Sequence, residues 1–86
     1  MEDKILLRIK EVLIKDDWLK SVYLESGDVW VKRHGALTLQ VYKGLGISRS
    51  KALYWLNKME KKGLLHKHPT PGGNTSWYPI GWNWEL

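Results

Sequence analysis

The segment GLGISRSKALYWLNKMEKKGLL, from Gly44 to Leu65, constrains the fold more than any other stretch of the chain. It sets a tight turn, a strong helix cap and an amphipathic basic run in immediate succession. Gly46 suits a turn position that needs positive φ. Ser48 is a strong N-cap, so a helix over about residues 49–62 is expected. Gly63 then closes that helix at the residue after its C-cap. Ala52, Leu56 and Met59 recur at helical spacing and form its inward stripe. Arg49, Ser50, Lys51, Tyr54 and Lys58 fall on the opposite face, with Leu53 and Trp55 adding apolar bulk beside it.

The flanking pattern extends this unit. Thr38–Leu45 reads as a short helix with Thr38 as its N-cap and with Leu39, Val41, Tyr42 and Leu45 as its apolar side chains. Gly44 lies inside it and costs roughly 1 kcal/mol against alanine. Ile47 plugs the junction between the two helices. After Gly63 the period falls to two, through Leu64, Leu65, His66, Lys67 and His68. The turn cluster PTPGGNTS follows, and then Trp77, Tyr78, Pro79 and Ile80, so a β-hairpin is expected over about residues 64–80.

The first half is less regular. Ile5, Leu6, Ile9, Val12 and Leu13 mark a helix over Asp3–Ile14 with one apolar stripe, Asp3 as a cap and Lys15 at its C-terminal end. In residues 16–35, Trp18, Leu19, Val22 and Tyr23 keep helical spacing and Gly27 can close such a helix. The same residues also read as two alternating strands around Ser26-Gly27. The favoured reading is a helix to about residue 24 and a strand at Val29–Lys32.

Charge separates the two halves. The net charge is +5, yet residues 1–42 are balanced. Residues 43–67 hold Lys43, Arg49, Lys51, Lys58, Lys61, Lys62 and Lys67 against Glu60 alone. A local positive field of this kind suits a polyanion, because neutralised phosphates release counterions. At 86 residues one domain is expected, and with no cysteine its stability must come from packing. No apolar run reaches the length of a membrane span, and charges interrupt the N-terminal MEDKILLRIKEVL, so a cytoplasmic protein is expected.

The order of helix, extended segment, short helix, tight turn, basic helix and hairpin is that of a winged helix-turn-helix domain. The residues are similar too. GISRS resembles the turn and recognition-helix start of winged helix-turn-helix transcription regulators, and LNKMEKKGLL resembles their helix exit into the wing. The resemblance covers about residues 37–80. It implies an α+β fold of three or four helices with a C-terminal β-hairpin wing, the helix-turn-helix at about 38–62 and the wing at about 64–80.

It also implies double-stranded DNA as partner, with the second helix of the motif in the major groove. Ser48, Arg49, Ser50, Lys51, Tyr54 and Lys58 on that helix, and Lys67, Thr70 and Asn74 on the wing, are then the DNA-binding candidates. Such regulators usually dimerise, and Trp18, Tyr23, Trp30, Trp82 and Trp84 offer a dimer face. TPGGNTSW resembles, more distantly, the proline-bearing wing of left-handed-nucleic-acid-binding winged helices. Those carry asparagine and tyrosine where this chain has Leu53 and Asn57, so that activity is not carried over.

Other constellations are weaker. His66 and His68 share a strand face and His34 is a third imidazole, but without cysteine or a neighbouring carboxylate no metal site is expected. Gly44 and Gly46 lack the third glycine and the preceding strand of a dinucleotide fingerprint. Asp16 and Asp17 suit a cap better than a catalytic pair. No cofactor and no enzyme activity are expected. The competing reading is a protein-interaction module that uses Leu53, Tyr54 and Trp55 as an apolar patch.

Overall fold

The computed structural model describes residues 1–70 and 74–85. Its first element, α1, runs Glu2–Ile14 and buries Ile5, Ile9 and Leu13 along one stripe. The helix begins one residue before the expected cap. Met1 is its N-cap and makes no side-chain cap bond, so Asp3 sits in the first turn rather than capping it. Glu2 holds Lys62 at 2.9 Å, which ties the start of α1 to the end of the basic helix.

The segment Asp16–Gly35 is helical throughout most of its length. α2 spans Asp17–Ser26, with the Asp16 carboxylate accepting the Leu19 N–H at 3.1 Å as its cap. Gly27, at φ 71°, donates to the Tyr23 carbonyl and ends the helix. A second helical turn, α3, follows at Asp28–Val31, and a 3-10 turn at Lys32–His34. The strand expected at Val29–Lys32 is therefore absent. Its alternating apolar residues do not alternate in burial: Val29 and Trp30 are both exposed and Val31 is fully buried.

The chain becomes extended only at Gly35, and β1 is the two-residue Ala36–Leu37. α4 covers Thr38–Leu45 and α5 covers Arg49–Lys61, with Gly46 between them in the left-handed region at φ 66°. Leu37, not Thr38, occupies the N-cap of α4, and the Gln40 side chain takes its N–H at 2.9 Å. The Thr38 hydroxyl turns inward and accepts the buried Trp77 indole N–H at 2.9 Å. Gly44 lies under the Arg8 side chain, whose Nε donates to the Gln40 carbonyl at 3.1 Å, and a Cβ there would strike the guanidinium.

The hairpin pairs β2, Leu65–Pro69, with β3, Thr75–Pro79, in antiparallel register Leu65↔Pro79 to Pro69↔Thr75. β1 pairs on the other side of β3 through Ala36↔Trp77 and Leu37↔Ser76, which gives the sheet order β1-β3-β2. The described chain is thus α+β, with five α-helices and one three-stranded antiparallel sheet. The extra helical turn at Asp28–Val31 accounts for the excess over the three or four helices expected.

The central strand is covered on both faces. Trp77 points into the core formed with Ile5, Ile9, Val41, Leu56 and Met59. Tyr78, the next residue, points the opposite way and is also buried. Its hydroxyl accepts the Trp84 indole N–H at 2.8 Å. Trp84 stacks on Tyr23 from α2 at 5.6 Å and on Trp82 at 4.7 Å. Ser76 Oγ reaches the carbonyls of Arg33 at 3.5 Å and His68 at 3.4 Å. The 16–35 segment therefore packs across the second face of the sheet. Trp82 and Trp84 are buried and Tyr23 is half-buried within their own chain, so only Trp18 and Trp30 remain of the five aromatics expected at a dimer face.

Candidate nucleic-acid interface

Ser48 starts α5 as expected, its hydroxyl accepting the Lys51 N–H at 3.1 Å. The helix ends with two nested bonds, Gly63 N–H to the Glu60 carbonyl and Leu64 N–H to the Met59 carbonyl, with Gly63 at φ 79°. This is the glycine stop that satisfies the last carbonyls of a helix. The inner stripe of Ala52, Leu56 and Met59 is fully buried. Its burial fixes the rotation of the helix, so Ser48, Arg49, Ser50, Lys51, Tyr54 and Lys58 are all exposed.

Leu53 and Trp55 are half-buried and packed against the core, whereas Tyr54 is 60% exposed. Tyr54 meets Trp55 edge to face at 5.3 Å. Lys58 Nζ lies 5.1 Å from the Trp55 ring centre and 5.8 Å from that of Tyr54. The apolar bulk beside the exposed face of α5 thus acts as a seat for a lysine, through the attraction of a cation to aromatic rings.

The hairpin is braced to α5. Lys67 Nζ donates to Asn57 Oδ1 at 3.1 Å and sits 5.5 Å from the Trp77 ring centre. Asn57 Nδ2 in turn donates to the Leu53 carbonyl at 2.9 Å. Asn57 is the member of this set that spacing along the chain does not single out, because its partner is ten residues away across the helix stop. Thr70 closes the hairpin: its N–H donates to the Asn74 carbonyl at 2.7 Å, and its hydroxyl bonds the same oxygen. Part of the turn expected between the two strands, residues 71–73, lies outside the described residues.

Leu39 and Tyr42 from α4, Arg49 and Leu53 from α5, and Asn74 and Thr75 from the hairpin line one cleft of about 140 Å³. Arg49 and Asn74 are distant in sequence, yet they open onto the same hollow. Tyr42 is half-buried against the core at this crossing. Ser50, Lys51 and Lys58 lie on the exposed rim of α5 outside that hollow.

The electrostatics of this surface are one-sided. Among the described residues, Lys62 with Glu2 is the ion pair present, and that bond holds the Glu2 carboxyl below its ordinary pKa. Among the described residues, no carboxylate lies within ion-pair distance of Arg49, Lys51, Lys58 or Lys67. On the opposite sheet face, His66 and His68 stack at 6.4 Å. Desolvation first, and then Lys32 and His68, push the His66 pKa below the usual imidazole value. Among the described residues no group of three His, Asp or Glu side chains could hold a metal ion, and no helix is long and apolar enough to cross a membrane. Comparison with family models, with curated proteins and with solved structures finds no match to this chain.

Proposed function

We propose that the chain is a winged helix-turn-helix protein that binds double-stranded DNA, acting as a small sequence-specific transcription regulator with α5 in the major groove. The observation that carries this reading is the row of cations, Arg49, Lys51, Lys58 and Lys67, along the outer face of α5 and the adjoining strand, none of them neutralised by a carboxylate among the described residues. The layout supports it: α4, a left-handed glycine and a capped α5 precede a hairpin braced to α5. In this arrangement Arg49 reaches base edges or phosphate at the head of the groove-lying helix. Ser50, Lys51 and Lys58 hold phosphates, and Lys67 and Asn74 carry the contact onto the flanking backbone. The half-burial of Leu53 and Trp55 favours DNA over a protein partner, because Tyr54 alone of that trio stands out from the surface.

Binding to duplex DNA across a salt series tests this. Four phosphates neutralised by Arg49, Lys51, Lys58 and Lys67 give a slope of log affinity against log salt of about −3.6. Replacing Arg49 and Lys51 by alanine lowers its magnitude by about 1.8. Absence of duplex binding at low salt, or an unchanged slope in the double variant, would refute the reading.

A further inference from the structure

Beyond the hairpin from the α5 face lies a second cluster that the proposed function leaves unused. Trp18 and Trp30 are 63% and 56% exposed, in a chain that buries Trp77, Trp82 and Trp84. They border the basic turn Lys32-Arg33-His34. The Arg33 guanidinium lies 5.2 Å from the Trp30 ring centre, and the His34 ring stands edge-on to Trp18 at 6.0 Å. Arg33 and His34 are consecutive, so the two indoles flank a single turn. Trp18, Arg33 and His34 also open onto a cleft of about 340 Å³ whose far wall includes Thr70 and Ser76 of the hairpin. Thr75 lines the α5 cleft and Ser76 lines this one, and successive strand residues face opposite sides. The two surfaces therefore lie on opposite sides of the hairpin.

The cations of this turn are available. Among the described residues neither Lys32 nor Arg33 has a carboxylate within ion-pair distance. Asp16 lies on the cleft wall, but its carboxylate is engaged by the Leu19 N–H. Among the described residues Asp28 and Glu25, the acids nearest these cations in sequence, pair with neither. Accessible indole faces beside unpaired cations are the elements with which proteins hold unpaired bases and their phosphates.

We propose that this patch is a binding platform for single-stranded nucleic acid, with bases stacked on Trp18 and Trp30 and phosphates held by Lys32 and Arg33. The competing use of the same surface is self-association, which the exposed Leu24 and Val29 would extend. A self-complementary two-fold contact would bring the two cations of each copy beside those of the other and leave them unneutralised, whereas a polyanion neutralises them.

Fluorescence anisotropy with a labelled oligothymidylate of about 12 nucleotides tests this on the full chain. The measurement compares wild type, Trp18→Ala with Trp30→Ala, Lys32→Ala with Arg33→Ala, and the α5 variant Arg49→Ala with Lys51→Ala. Each tryptophan removed is expected to weaken binding at least about fivefold. Loss of the two cations is expected to reduce the salt slope by about 1.4. The α5 variant keeps its affinity for the oligothymidylate, and the tryptophan variant keeps its affinity for duplex. Both tryptophans are surface side chains, and an unchanged thermal melt verifies that their variant is folded. Oligothymidylate binding that survives the tryptophan substitutions overturns the proposal. So does binding that is lost only with Arg49 and Lys51, which would place the strand on α5. Sedimentation that reveals a dimer abolished by the tryptophan variant, with oligothymidylate affinity unchanged, also overturns it. Duplex binding can fail while the patch still takes the oligonucleotide, so the two readings are separately refutable.

Discussion

Gly35→Ala is the substitution with the most direct structural consequence. Gly35 has φ −70° and ψ −176°, a conformation open to any residue, so backbone strain is not the issue. Space is. A Cβ at this position collides with the Trp77 carbonyl and stands 2.9 Å from the Trp77 nitrogen, and these are backbone atoms of the central strand that cannot rotate away. Relief requires β1 to move off β3. Overpacking of this kind costs about 1–3 kcal/mol. The Ala36↔Trp77 and Leu37↔Ser76 pairing would weaken as well, at about 1 kcal/mol per hydrogen bond. Against this, alanine restricts the unfolded chain and returns about 0.4–1 kcal/mol. The expected net destabilisation is about 2 kcal/mol, which lowers the melting temperature by roughly 8–16 °C in a domain of this size. Thermal denaturation followed by circular dichroism measures it, and hydrogen exchange at the amides of Ala36 and Trp77, which pair across β1 and β3, reports where the damage lies. Gly44→Ala is the matched control. Its Cβ meets only the end of the Arg8 side chain, which can swing aside, and the helix gains up to about 1 kcal/mol from alanine. A Gly35→Ala protein that melts within about 3 °C of wild type would refute the argument from close approach.

Three further outcomes follow from the hydrogen bonds and the titrating groups. Thr38→Val leaves the buried Trp77 N–H without its acceptor and should cost about 1–3 kcal/mol in denaturant unfolding. Ser48→Ala removes the α5 cap and should cost about 1 kcal/mol in denaturant unfolding. His66 titrates below the ordinary imidazole value in the folded chain, chiefly through desolvation. Its contribution to stability is therefore complete above the unfolded value of about 6.5 and is lost as pH falls through the lowered folded value. His66→Gln should flatten the fall of stability between the unfolded and the lowered folded value in a denaturation series, and an unchanged fall would show that other groups cause it.

The helices that bury a regular stripe were legible in the sequence. α1, α4 and α5 declare themselves through apolar spacing, and Ser48, Gly46 and Gly63 through the torsions and caps that their residue types favour. The exposed row Arg49, Ser50, Lys51, Tyr54 and Lys58 follows from the inward stripe by simple geometry. The misreadings have physical reasons. Val29, Trp30 and Val31 alternate in no burial sense, because Gly27 restarts the helix one turn earlier and only Val31 faces the core. β1 is two residues long and owes its place to the approach of Gly35 to Trp77, which no periodicity records. Thr38 has the chemistry of a cap, but a partner 39 positions away claims its hydroxyl. Tyr23, Trp82 and Trp84 read as surplus aromatics until the second face of the sheet, which they cover, is taken into account.

The sheet order also bears on synthesis. The strand in the middle of the sheet is the last of the three to be made, and each flanking strand depends on it for its backbone partners. A nascent chain that has delivered only residues up to Asn74 carries β1 and β2 with no neighbour between them, and the apolar stripes of α1 and α5 without Trp77 to close over them. The helices can form locally during translation, but the assembly of the core waits for Thr75–Pro79. In that interval the two unpaired strands are open to pairing with another chain. Ribosome stalling within the hairpin should therefore threaten solubility more than stalling anywhere earlier in the chain.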